Sequence, residues 1–365
     1  MRIALVVPGG VDRSGERRVV PALLALIGRL SLHNDVQVFA LRQEIRAADW
    51  DLLGAHIHNI GFRYTRLRAV RDIYRLHRSS RFDIVHAIWS GSCGAIAVAV
   101  GKMLRIPSLI HIAGGELVSM PEIGFGGMQT WKGRVRERAV LRGASCVTAA
   151  SAPVISALSQ LGLAAQRVPL GVDLDLWPPR KPVGRRDGRS AKLIHVASLN
   201  LVKDQSTLLR ALAMLMEWGL AFEMDIVGED TLQGEIQAMA GQLGLSARVR
   251  FRGFLSQRQL RPLVEGADLM IHSSRHETGP LVTLEAAVAG VPTVGTAVGH
   301  IAEWAPDAAV SVPVGDWMGL AGAIRNLLED DALRLSIARE AMRRATQEDA
   351  DYTARRFNAL YADLL

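Results

Sequence analysis

The stretch ADLMIHSSRHETGPLVTLEAAVAGVPTVGTAVGHIAE, residues 267–303, decides the fold of this chain. Its opening, Ala267 to Ser274, is a short apolar run with a polar end, the pattern of a parallel strand emptying into a loop. A helix is expected after that loop. Pro280 suits the first helical position, because its ring presets φ and its missing N–H has no intrahelical partner there. Gly290, followed by Val291 and Pro292, suits the stop. Between them LVTLEAAVA is apolar almost all round, so the helix is expected to be buried. Strand, loop and buried helix together form the unit of a parallel sheet covered by helices.

Two carboxylates mark this unit. Glu277 falls in the loop and Glu285 in the middle of the helix, with seven residues between them. Removing a charge from water costs several kcal/mol unless it is paired, so Glu285 needs a partner. One reading is a structural salt bridge to an Arg or Lys. The other is a carboxylate that accepts hydrogen bonds from paired hydroxyls, such as those of a ribose. Glu277 reads either as a solvated loop acid or as part of a ligand site. The site reading draws support from context, because a helix N-terminus at the mouth of a parallel sheet is an anion site.

Working outward, short apolar runs alternate with helical periodicity along all 365 residues, too many for one ordinary core. The expected strands of the first half are RIALVVP, VQVFAL, HIHNIGF, DIVHAI, SLIHIA and CVTAAS; those of the second are LIHVASL, MDIVG, VRFRGF, DLMIHSS and TVGT. A Pro- and charge-rich break separates the sets. Expected boundaries are a first α/β domain over residues 1–177, a linker over 178–192, a second α/β domain over 193–348, and a final helix over 349–365. Doubly wound sheets bind ligands at the carboxyl ends of their strands, so the cleft between two such domains is the expected active site.

Charge is uneven along the chain. Residues 1–180 carry 23 Lys and Arg against 13 Asp and Glu, while the remainder carries 20 against 23. The excess is largely Arg68, Arg71, Arg75 and Arg78 at helical spacing, and Arg134, Arg136, Arg138 and Arg142. These are either solvated helix faces or a surface for anionic lipid or a phosphorylated acceptor. Nucleic acid is not expected, since no aromatic-interleaved basic platform accompanies the charge. Two cysteines without metal-ligand spacing, and no apolar run of spanning length, point to a cytoplasmic protein, peripheral at most on the inner face of the plasma membrane.

Other motifs lie at strand ends. Lys203 sits in the loop of LIHVASLNLVKDQSTLLRAL, where a lysine is either plain surface or a phosphate ligand. VPGGVDRSGERR, with Gly10, Ser14 and Gly15, is a Gly-rich loop that either lets a ligand approach the backbone or is merely flexible. SLIHIAGGE places His111 within an apolar run before Gly114 and Gly115, either as a core histidine or as a catalytic one. Asp173 and Asp175 form a DxD that reads as structural, so no metal is expected.

HETGPLVTLEAAVAGVPTVGT followed by VGHIAE resembles the nucleotide-sugar site of glycosyltransferase family 4, whose bacterial group 1-type members are retaining enzymes. The resemblance implies a GT-B fold: α/β, two Rossmann-like doubly wound domains facing across a cleft, with the last helix returning to the first domain. It implies that Glu277 lies near the donor sugar and phosphates with Gly279, Pro280 and Leu281, and that Glu285 binds the ribose. Lys203 then grips the diphosphate. The family's partner Arg is replaced by Ser198, with Asn200 as a neutral substitute, and Gly228 and Gly253 lie beside the base. Gly10, Ser14 and Gly15 stand where the family keeps its loop near the reacting centre, and His111 with Gly114 and Gly115 where its His–Gly loop covers the sugar. His111, Lys203 and Glu277 are thus the implied catalytic residues.

The family's usual Phe-Gly is Gly279-Pro280 here, and its Gly-Gly pair is Gly299-His300, with Glu303 in place. The implied donor is a UDP or GDP sugar with no cofactor, and the implied acceptor a glycan or lipid-linked sugar of cell-surface polysaccharide or glycolipid synthesis. Two alternatives are a non-catalytic sugar-nucleotide-binding protein, suggested by Ser198, and an epimerase or phosphorylase on the same fold. A nicotinamide dehydrogenase is disfavoured, because neither strand set opens with the dinucleotide fingerprint.

Overall fold

The computed structural model describes residues 1–185 and 188–365, which divide into two compact units, Met1–Gly171 with Ala350–Leu365, and Val172–Asp349. In the first unit, β1 (Arg2–Val7), α1 (Pro21–Ser31), β2 (Asp35–Ala40), β3 (Ala48–Leu52), β4 (Ala55–Asn59), α2 (Thr65–Ser79) and β5 (Ile84–Ile88) lead to α3 (Ala95–Leu104) and β6 (Ser108–Ile112). α4 (Trp131–Gly143), β7 (Cys146–Ala149), α5 (Ala152–Gln160) and β8 (Gln166–Arg167) complete its sheet, in the order β3-β4-β2-β1-β5-β6-β7-β8. Every pairing is parallel except that of β3 with β4. β5 and β6 are buried along their whole length, as strands covered on both faces must be.

The second unit runs β9 (Ala191–Val196), α6 (Gln205–Glu217), β10 (Phe222–Val227), α7 (Glu235–Gln242), β11 (Val249–Gly253), α8 (Gln257–Glu265), β12 (Leu269–His272), α9 (Leu281–Val288) and β13 (Thr293–Thr296). It ends with α10 (Gly299–Trp304), β14 (Val310–Val312), α11 (Trp317–Glu329) and α12 (Asp331–Gln347). Its all-parallel sheet, β11-β10-β9-β12-β13-β14, has the Rossmann strand order. The strand order reverses between β9 and β12, and that is where such sheets bind ligands.

The last helix, α13 (Ala350–Leu364), belongs to the first unit and packs on α1. Phe357, Leu360 and Tyr361 fill the core with Leu23, Leu26 and Ile27. The Tyr361 hydroxyl lies 2.7 Å from His86 Nδ1, and Thr353 Oγ1 donates to the Pro169 carbonyl at 2.7 Å.

Several expectations shift. The boundary lies at Gly171 rather than 177, because Val172 and Trp177 are buried in a core of the second unit. The expected linker is not a free connection. The Arg180 amide donates to the Val288 carbonyl, and Arg189 pairs with Asp268. Arg186 and Asp187 of that stretch lie outside the described residues. Pro280 is the residue before the helix, with extended ψ of 116°, and not its first helical position. Gly290 does end α9 as expected: at φ +77° it follows the C-cap Ala289, its amide donates to the Ala287 carbonyl, and a Cβ there would meet the Arg180 carbonyl. Strands β3, β8 and β14 were not anticipated; they are short edge or near-edge pieces without a clear apolar run.

Candidate functional site at the switch point of the second sheet

Lys203 follows β9 and Glu277 follows β12, so the two strands flanking the reversal each deliver one charged residue to the same end of the sheet. Lys203 Nζ donates to Glu277 Oε1 at 2.5 Å. The same oxygen accepts from Ser274 Oγ at 2.8 Å and lies 3.1 Å from His272 Nε2. Glu277 is therefore not a solvated loop acid; its side chain is 12% exposed. Burial pushes its carboxyl up, but the Lys203 ammonium and the His272 hydrogen bond prevail and hold it well below the usual carboxylate range.

The loops are fixed by their own backbone. Asn200 Oδ1 accepts from the Val202 and Lys203 amides, both at 3.1 Å, which shapes the turn carrying Lys203. The Arg275 amide donates to the Val202 carbonyl at 2.7 Å, and Ser273 Oγ to the Lys203 carbonyl at 2.8 Å, tying the two loops together. Asp204, in the left-handed region, caps α6 through the Thr207 amide. α9 follows the Glu277 loop without a side-chain cap, and its Thr283 amide turns back to the Pro280 carbonyl. Gly299, at φ +48°, packs against Gly279 and Pro280, where a Cβ would stand 2.9 Å from Pro280 Cδ. His300 is buried and stacks on Trp304.

Glu285 is 2% exposed. Among the described residues no Arg or Lys pairs with it. Burial pushes its carboxyl up to about 7, against the hydrogen bond of Gln257. The Gln257 side chain in turn accepts from Trp177 Nε1 at 2.7 Å. A carboxyl with so few partners retains acceptor capacity, which is what a hydroxyl-bearing ligand requires.

Gly228 and Gly253 meet at the ends of β10 and β11, where the Gly228 amide donates to the Gly253 carbonyl at 2.9 Å. At Gly228, with φ +153°, an added Cβ would stand 2.0 Å from the Ala197 carbonyl oxygen, so glycine is required there by the neighbouring chain. Ser198, next along, is exposed, and its carbonyl accepts from Gln205 Nε2. Ser198 brings a hydroxyl and no charge to this loop, so Lys203 is the cation that the β9 loop delivers beside Glu277.

The first unit corrects one expectation. His111 is a core residue, with no exposed surface, 3.0 Å from Thr148 Oγ1 and edge-on to Phe357. Burial lowers its pKa to about 3, and a ring closed off by α13 reaches no ligand. The loop holding Gly10, Ser14 and Gly15 is braced by hydrogen bonds within it and to Gln43, while Ser14 stays exposed. Gln43 Oε1 accepts from the Gly10 and Val11 amides, the Asp12 carboxylate from Ser14 and its carbonyl from Gly15, and Ser14 Oγ from Glu16 and Arg17. Beyond β6, Gly114 and Gly115 lead into Glu116, a buried acid that the sequence did not single out. Glu116 accepts from the Ser90, Ala113 and Gly114 amides, and burial raises its pKa. Asp173 accepts from the Asp175 amide at 3.1 Å within a turn.

His272, Ser274, Gln257 and Trp177 also escaped the sequence reading. Only His272 left a signal there, as the polar residue closing the apolar run before the loop.

The chain is similar in sequence and fold to known proteins. Residues 180–348 match the family model of glycosyl transferases group 1, and residues 14–171 that of the glycosyl transferase 4-like domain. The glycogen synthase of Mycobacterium tuberculosis is 31% identical over 280 residues, covering 74% of this chain, which spans 66% of that enzyme's length. D-inositol 3-phosphate glycosyltransferase 1 of Catenulispora acidiphila is 30% identical over 298 residues, 72% of this chain and 68% of that protein. Among solved structures, Anabaena HepE in complex with UDP and glucose superposes with a TM-score of 0.77 at 20% identity, covering 100% of both chains.

Proposed function

Because the chain belongs to the group 1 glycosyltransferases of family 4, with the GT-B fold, we propose that it transfers a glycosyl group from a nucleoside-diphosphate sugar, with retention of configuration. The observation that carries this reading is the Lys203–Glu277 pair at the strand reversal, beside the uncapped start of α9. Cleavage of a sugar–phosphate bond places negative charge on the leaving diphosphate. Lys203 and the α9 N-terminus supply fixed positive potential there, which stabilises that charge without reorganisation. Glu277 holds the ammonium in place and offers its second oxygen to the sugar; Glu285 accepts from the ribose. The leaving phosphate assists removal of the acceptor proton on the same face of the sugar, as retention requires.

The donor is a UDP or GDP sugar, and the acceptor a glycan or lipid-linked sugar of cell-surface polysaccharide or glycolipid synthesis. Incubating the purified chain with UDP- and GDP-sugars and membrane-derived acceptors, and reading product linkage by NMR, tests this. An α-linked product from an α-linked donor supports it; nucleotide binding without transfer, or turnover that needs no acceptor, overturns it.

A membrane contact by the first unit forms part of the reading, and one observation favours it. α2 and α4 cover the same core, yet Tyr64, Leu67, Trp131 and Val135 are more than half exposed among Arg66, Arg71, Arg134 and Arg138. Exposed apolar and aromatic side chains among cations suit an anionic bilayer surface, at about 1 kcal/mol per basic residue. Among the described residues no helix is long and apolar enough to cross a membrane. The same reading makes the chain a cytoplasmic protein held at the inner face of the plasma membrane. Trp131→Ser with Arg134→Gln and Arg138→Gln is expected to abolish co-sedimentation with phosphatidylglycerol vesicles; equal sedimentation of variant and parent overturns the contact.

A further inference from the structure

The edge hairpin of the first sheet carries a side-chain cluster for which sugar transfer has no use. β3 and β4 pair with Asp49 opposite His58 and Asp51 opposite His56. Alternation sets these four side chains on one face, while Trp50 and Ile57 turn to the core. Asp49, His56 and His58 bring one ligand atom each within 4.8 Å of one another.

Hydrogen-bond accounting shows what this face lacks. Gln37 Nε2 donates to Asp35 Oδ1 at 2.6 Å, which turns Gln37 Oε1 toward His58 Nε2 at 2.9 Å. An amide oxygen only accepts, so His58 Nε2 carries a proton. In a neutral ring Nδ1 then holds the lone pair, and it lies 2.9 Å from Asp49 Oδ1, a second acceptor. Two acceptors at that distance repel unless a cation joins them, either a second ring proton or a metal ion. His56 is oriented as metal-binding histidines are. Its Nδ1 lies 2.7 Å from Asp51 Oδ1, a carboxylate contact that fixes the tautomer and leaves Nε2 as the ligand atom. Both rings are held in place: His58 stacks on Phe39 at 4.9 Å, and His56 meets His58 edge-on at 4.6 Å.

We propose that Asp49, His56 and His58 bind a divalent transition-metal ion of the zinc class, with Asp51 orienting His56 and a water as fourth ligand. Zinc bonds of about 2.0–2.1 Å in a tetrahedron place ligand atoms roughly 3.4 Å apart, within reach of small side-chain rotations here. The ion ties β3, an open edge strand, to β4.

The test uses the full chain without an affinity tag, stripped with a chelator and titrated with Zn²⁺ by calorimetry and with Co²⁺ by visible absorption. One equivalent of metal and the strong bands of tetrahedral Co²⁺ are expected. His56→Ala and His58→Ala each abolish binding, and Asp51→Asn weakens it about tenfold or more. Parent-like far-UV circular dichroism and thermal unfolding of the three variants, each stripped of metal, show that they are folded. A parent chain that binds no metal, with a His58 Nδ1 proton seen by NMR at neutral pH, assigns the cation to a proton and overturns the proposal. Stoichiometric binding by a His56→Ala/His58→Ala chain overturns it equally.

Discussion

Lys203 and Glu277 stand 74 residues apart in the chain and 2.5 Å apart in space, one after each strand that flanks the reversal of the second sheet. The pair makes a largely buried carboxylate tolerable and fixes an ammonium at the carboxyl end of the sheet.

Lys203→Met removes the principal attraction on Glu277. Discounting for a lysine side chain 25% exposed, the loss of stability at pH 7 should be about 2 kcal/mol by urea denaturation. The sign with pH follows from the carboxyl, whose folded pKa is depressed below the usual 4.5. Its contribution is present above that value and lost as pH falls, so the acid limb of the parent's stability profile should be steeper than the variant's. Parallel acid limbs would contradict the pairing.

Glu285 behaves in the opposite way. Its carboxyl is raised from 4.5 to about 7, so the folded chain holds a proton that the unfolded chain has released. Stability is lost as pH rises from about 4.5 to 7, by roughly 3 kcal/mol at 1.36 kcal/mol per unit. Glu285→Gln should flatten this slope, gain stability at pH 8, and weaken nucleotide binding. A slope unchanged in the variant would show that the carboxyl is ionised throughout.

The two glycines at the ends of β10 and β11 should differ. Gly228→Ala drives a Cβ into the Ala197 carbonyl and should cost about 3 kcal/mol. Gly253→Ala meets open space at φ +66° and should cost only the left-handed penalty, about 1 kcal/mol. Thermal unfolding of the two variants compares them directly, and equal losses would contradict the close backbone approach.

In the first unit, Tyr361→Phe leaves buried His86 Nδ1 without its partner and should cost about 1–2 kcal/mol. Phe357→Ala opens the core between α13 and the sheet and should cost about 3–5 kcal/mol. Hydrogen exchange in α1 and β5 should rise in both variants; unchanged protection would mean that α13 is not part of this core.

Much of the second unit was legible in its sequence, because residues 267–303 hold a strand, a loop and a helix in one uninterrupted pattern. Glu285 stood out as a carboxylate inside an apolar helix, and Glu277 by its place in the loop before that helix. Their contacts did not, since Lys203 and Gln257 follow other strands of the sheet and periodicity carries no information about partners so distant. Pro280 was placed one position late because the same restricted φ serves both the first helical residue and the one before it. His111 misled by position: a histidine before two glycines looks like a loop catalyst, yet α13, more than 200 residues later, covers it. The bracing of the loop around Gly10 and Ser14 was not legible because Gln43, whose side chain accepts from Gly10 and Val11, lies on a different connection.

The central claim, that Lys203, Glu277 and Glu285 form a nucleotide-sugar donor site, is tested most directly by calorimetric titration of the parent chain and Lys203→Ala with UDP, GDP and their sugar conjugates. Saturable binding of one nucleoside diphosphate class at a single site is expected, weakened at least tenfold in Lys203→Ala. Equal affinity of variant and parent, or no nucleotide binding by a folded parent chain, would contradict it.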